Sequence, residues 1–64
     1  MSEIHKKYQK QINEALNGYV TDFNYQSAME VLRYCERQRG ISLSLNMSCP
    51  TCLIDLLRLF NSLK

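Results

Sequence analysis

Cys49-Pro50-Thr51-Cys52-Leu53-Ile54-Asp55-Leu56-Leu57-Arg58-Leu59-Phe60-Asn61-Ser62-Leu63 is the stretch whose reading decides the fold. Leu53, Leu56, Leu57, Phe60 and Leu63 recur three and four residues apart, the period of a helix with one apolar stripe. Ile54 and Leu59 widen that stripe well beyond an ordinary surface helix, leaving Asp55, Arg58, Asn61, Ser62 and Lys64 for water. Pro50 suits the first turn, because the N–H it lacks would have no intrahelical partner there. The spacing predicts a helix that starts at Cys49 or Pro50 and runs close to Lys64. A helix this apolar is either central to a bundle or shared with a partner.

Upstream, Ile41-Ser42-Leu43-Ser44-Leu45-Asn46-Met47-Ser48 alternates apolar and polar residues, which predicts an extended segment with one buried face. A strand would need a neighbour, either Tyr19-Val20-Thr21-Asp22-Phe23 or a second copy. The plainer expectation is an extended linker lying across the helices. Before it, Ala28, Val31, Leu32 and Cys35 occupy one helical face, with Asn24 as N-cap and a helix to about Gln38. Phe23 and Ala28 are placed to form a hydrophobic staple, and Gly40 ends the helix. The first helix is expected from about Glu3 to Asn17, with Ile4, Tyr8, Ile12, Ala15, Leu16 and Tyr19 as its stripe and Gly18 as its stop. The fold class is therefore all-α: a small three-helix domain with an extended segment before the C-terminal helix, residues 1–64 forming a single helical domain.

Sixty-four residues bury only roughly 60% of the surface their unfolded chain exposes, so stability is marginal without a staple or a partner. A cleft of enzymatic size is hard to build at this length, and no nucleophile-base-acid set or Gly-rich phosphate loop is evident. The expectation is a protein that is not an enzyme. Hydrophobic residues at 45% and charged residues at 22% indicate a globular rather than a disordered chain. No run approaches the roughly eighteen apolar residues of a membrane span, so no membrane partner is expected. The polar start Met1-Ser2-Glu3-Ile4-His5-Lys6-Lys7 makes the cytoplasm the expected compartment, where thiols stay reduced. Three cysteines, an odd number, argue against a secreted disulfide framework.

Cys49 and Cys52 supply two of the four ligands a structural zinc needs, at the spacing of many zinc knuckles. Cys35 and His5 are the remaining candidates in the chain. Cys35 serves packing equally well, and His5, among lysines, is expected to be exposed. A symmetric dimer would complete a four-cysteine zinc site from two such pairs. The same two thiols also suit redox exchange, because a helix N-terminus favours the thiolate of the first cysteine. Cys49-Pro50-Thr51-Cys52 resembles the active-site motif of glutaredoxins, which would make Cys49 the nucleophile and Cys52 the resolving thiol. That resemblance covers four residues. Glutaredoxins carry the motif between a strand and a helix near the start of a longer α/β domain, whereas here it lies near the C-terminus with no βαβ unit after it.

Arg39-Gly40, the connector, Ser48-Cys49-Pro50-Thr51-Cys52 and Leu53-Ile54-Asp55-Leu56-Leu57 together resemble short phage-encoded helical proteins in which a Cys-x-x-Cys opens the last helix. The likeness spans about a third of the chain. It implies an accessory protein of a virus or mobile element, in the host cytoplasm, that binds rather than catalyses.

Eight Lys and Arg against six Asp and Glu give a net charge of +2, which permits nucleic acid without demanding it. Lys6 and Lys10 on the first helix with Arg33 and Arg37 on the second are the residues that would contact phosphates. Glu30 and Glu36 interrupt the second set, and the segment from Gly40 to Ser48 is too long for a helix-turn-helix. Tyr8 and Tyr19 follow the apolar stripe and are expected in the core rather than on a base-stacking platform. The leading reading is a protein-binding or assembly module, self-associating as a homo-oligomer, whose contact is carried by Leu53, Leu56, Leu57, Leu59, Phe60 and Leu63. The alternatives are a nucleic-acid-binding regulator and a thiol-disulfide exchanger.

Overall fold

Four helices, α1 (Glu3–Lys7), α2 (Gln9–Leu16), α3 (Tyr25–Arg39) and α4 (Pro50–Ser62), carry the described residues, which are 3–43 and 49–63 of a computed structural model. Among them there is no strand, and the all-α fold is as the sequence predicts. The alternating run before the last helix lies outside the described residues from Ser44 to Ser48. Of its described part, Ile41 is exposed and Leu43 packs on the margin of the core.

The expected first helix is two helices. Tyr8 departs from helical geometry (φ −109°, ψ 19°) and separates α1 from α2. The hydrogen-bond ladder stretches but survives: the Tyr8 N–H donates to the Ile4 carbonyl at 3.3 Å, and the Ile12 N–H to the Tyr8 carbonyl at 2.9 Å. The Tyr8 side chain is held at several points, which accounts for the break. Its ring meets Phe23 and Phe60 edge-on at 5.9 and 6.3 Å, and its hydroxyl donates to the Glu30 carboxylate on α3.

Asn24 caps α3 as its sequence position suggests, its side-chain oxygen accepting the Ser27 N–H at 2.8 Å. At the other end Gly40 adopts the left-handed conformation (φ 66°) that a side chain would strain. The Glu36 carboxylate then accepts the Leu43 N–H at 2.9 Å and steers the chain off the helix. Residues 17–24 are pinned back onto α2. Glu14 accepts both the N–H and the hydroxyl of Thr21 at 2.8 Å, and the amide of buried Gln11 donates to the Thr21 and Asp22 carbonyls at 3.3 and 3.4 Å. That anchoring offsets the positive φ of 54° at Asp22.

α4 packs against both α2 and α3, and its stripe closes the core. Leu56, Leu57 and Phe60 meet Tyr8, Ile12 and Ala15 from one side and Val31, Leu32 and Cys35 from the other. Burying each of the two leucines and the phenylalanine stabilises the fold by about 1.5–3 kcal/mol. All four residues expected on the inner face of α3 are buried there.

Three assignments from the sequence are corrected. Tyr19 is 52% and Leu16 54% exposed, because α2 ends at Leu16 and the helical period stops with it. His5 is fully buried instead of exposed. Its ring stacks on Phe60 at 4.1 Å, meets Tyr34 edge-on at 5.3 Å, and its Nε2 lies 2.8 Å from the Phe60 carbonyl oxygen. A carbonyl only accepts, so Nε2 carries the proton in that bond.

Candidate functional site

The first turn of α4 brings the sequence-predicted thiol pair and a partly exposed leucine together. Cys49 is the N-cap residue, with extended backbone (φ −93°, ψ 116°), the conformation that a following proline enforces. Pro50 opens the helix, and the Leu53 N–H donates to the Cys49 carbonyl at 3.1 Å. Cys52 follows in the same turn. Both cysteines are partly exposed, while Pro50 and Thr51 between them are exposed. All three cysteines are thiols rather than disulfides.

The electrostatics separate the thiols. Cys49 Sγ closes no full capping hydrogen bond, yet the amide and thiol of Cys52 stand close enough to favour its thiolate, with the amide and hydroxyl of Thr51 adding to them. Together they draw the Cys49 pKa below that of an ordinary thiol. Cys35 goes the other way, pushed up to about 11 by burial. The linkage has a definite sign. A thiol whose folded pKa lies above its unfolded value of 9.0 keeps its proton longer in the native state, so stability falls as pH rises from about 9 to about 11. Chemical denaturation across that interval is expected to show a smaller alkaline loss for Cys35→Ala than for the parent chain, the difference isolating Cys35 from the tyrosines and lysines that titrate nearby.

As to metal, no group of three or more His, Cys, Asp and Glu able to hold an ion is found among the described residues. Cys35 and His5, the two residues left to complete a set with Cys49 and Cys52, are both sealed in the core. One chain therefore offers a thiol pair at the start of α4 and no further ligand from those two.

The six residues expected to form a partner surface divide in two. Leu56, Leu57 and Phe60 have at most 1% of their surface exposed, so they are spent on the chain's own core and cannot meet a partner without unfolding. Leu59 and Leu63 pack on the core margin with part of their surface open, as does Ile54. Leu53 is only partly covered and lies outside the core cluster, one residue beyond Cys52.

The basic residues are interleaved with carboxylates. Lys10 is paired with Asp22 at 2.7 Å, and Lys7, the neighbour of Lys6, with Glu30 at 3.0 Å. The Tyr8 hydroxyl and then the Lys7 ammonium hold the Glu30 carboxyl below its usual range. Arg33 and Arg37 border a surface depression of about 410 Å³ whose other walls are Glu30 and Glu36. Cations and carboxylates alternate there, which gives a phosphate backbone no continuous positive track.

Among the described residues, no helix is long and apolar enough to cross a membrane. Compared with known proteins, the chain matches no family model, no curated protein and no solved structure.

Proposed function

We propose that this chain is a small non-catalytic binding module that associates with a second copy of itself through α4, an accessory role of the kind the phage resemblance implies. The observation that carries this reading is the surplus of apolar residues on one helix. Leu56, Leu57 and Phe60 already close the core, and Leu53, Ile54, Leu59 and Leu63 keep open surface beyond it. A second α4 would cover that surface with residues of the same chemistry, in the self-complementary manner of a two-fold interface. A chain this short also gains most from such a partner, because its own core is small.

Sedimentation over a wide concentration range tests the reading. A reversible dimer is expected, and Leu53→Glu, at a position outside the core cluster, is expected to weaken it by at least about tenfold, equivalent to ~1.4 kcal/mol, while far-UV circular dichroism stays unchanged. A strictly monomeric parent chain at millimolar concentration would end the proposal.

A further inference from the structure

We propose that Cys49 and Cys52 form a redox-modifiable dithiol whose substrate is a low-molecular-weight disulfide, with Cys49 as the attacking sulfur and Cys52 as the resolving one. The chemistry follows from where the two sulfurs stand. Cys49 is outside the helix at its N-cap, held in extended backbone by Pro50, and reachable from solvent across the exposed Pro50 and Thr51. Cys52 is three residues on in the same turn, close enough for its amide and thiol to act on the Cys49 sulfur. Cys35 is the internal contrast: a thiol of the same chain that burial keeps from both solvent and ionisation. None of this depends on a βαβ framework, which the all-α fold does not contain. Nor does it depend on a second copy, so it stands apart from the self-association proposed above.

The exchange balances as follows. The Cys49 thiolate attacks one sulfur of R–S–S–R, forming a Cys49–S–S–R bond and expelling one RS⁻. Cys52 gives up its proton and attacks the Cys49 sulfur, closing a Cys49–Cys52 bond and expelling the second RS⁻. The dithiol loses two electrons and two protons, and the small disulfide takes them up to become two thiols.

The test uses the full, reduced chain with chelator present, so that adventitious metal cannot mask the thiols. It is mixed with hydroxyethyl disulfide near neutral pH, acid-quenched, alkylated and mapped by mass spectrometry. The parent chain is expected to accumulate an internal Cys49–Cys52 disulfide, with Cys35 open to alkylation only after denaturation. Cys52→Ser should trap one hydroxyethylthio group on Cys49, and Cys49→Ser should react about tenfold more slowly than the parent. Equal reactivity of Cys49 and Cys52 would overturn the assignment. So would an adduct on parent Cys49 that never passes to Cys52, a result that decides the matter even where a variant fails to fold.

Discussion

Phe60→Ala is expected to leave the chain largely unfolded in water at room temperature. Phe60 is fully buried and is the hub of the aromatic cluster, stacked on His5 at 4.1 Å and meeting Tyr34 and Tyr8 edge-on at 5.4 and 6.3 Å. Truncating a buried phenylalanine costs about 3–5 kcal/mol, the lost transfer energy plus the cavity left behind. A chain of this length has a total stability of only roughly 3–10 kcal/mol, so one residue holds much of the margin. Far-UV circular dichroism and urea titration check this directly. Phe60→Leu should retain a cooperative transition at reduced midpoint, since it keeps most of the volume. A Phe60→Ala chain that melts with the parent would mean that the core is not centred on this ring.

His5→Ala should be the next most damaging change, at about 2–3 kcal/mol. Two losses add. The ring that covers Phe60 disappears, and the Phe60 carbonyl near the end of α4 loses the Nε2 donor 2.8 Å away. The last carbonyls of a helix have no intrahelical donors of their own, which is why such a partner matters. The Leu63 N–H also reaches that oxygen, at 3.1 Å, so it is not wholly abandoned. His5→Phe separates the two contributions, keeping a ring on Phe60 while removing the donor, and should fall between parent and His5→Ala. Because the two rings touch, His5→Ala introduced into a Phe60→Leu background should cost less than in the parent. Strict additivity in that double-mutant cycle would contradict the stacked geometry.

These two residues also mark the boundary of what the sequence discloses. The stripes of α3 and α4 are legible because Ala28, Val31, Leu32, Cys35, Leu56, Leu57 and Phe60 are apolar and keep one period along unbroken helices. Asn24, Gly40 and Pro50 announce their helix ends by chemistry alone. His5 is different. It lies three residues before Tyr8 on the buried face, a position the spacing marks as inward, but a titratable side chain between Ile4 and two lysines reads as surface. Its burial depends on a carbonyl fifty-five positions away, and no local pattern carries that. The break at Tyr8 is hidden for the same reason, since the groups that hold its side chain, Phe23, Glu30 and Phe60, all lie elsewhere in the chain.

The candidate site is legible in part. The paired cysteines and their place at a helix start can be read directly. The split of the leucines cannot, because a wide apolar face does not say which half a small core will consume. Leu56 and Leu57 go inward as α2 and α3 close on them, and Leu53 is left beside the thiols. Lys7 and Lys10 look available for an anion in sequence, yet their carboxylate partners come from α3 and from the turn after α2.

The seating of α4 between α2 and α3 has a bearing on how the molecule assembles in time. α2 and α3 each pack chiefly on α4 rather than on one another, while α1 leans on α2. Short helices of this kind are unstable in isolation, since nucleation outweighs the few bonds they gain. Residues that come together early along the chain therefore have little to hold them until Phe60 reaches His5. Closing so long a loop costs only slightly more entropy than closing a short one, because the cost grows with the logarithm of length. Folding is then an all-or-none event with no stable halfway form, and damage to any one helix is felt by every other.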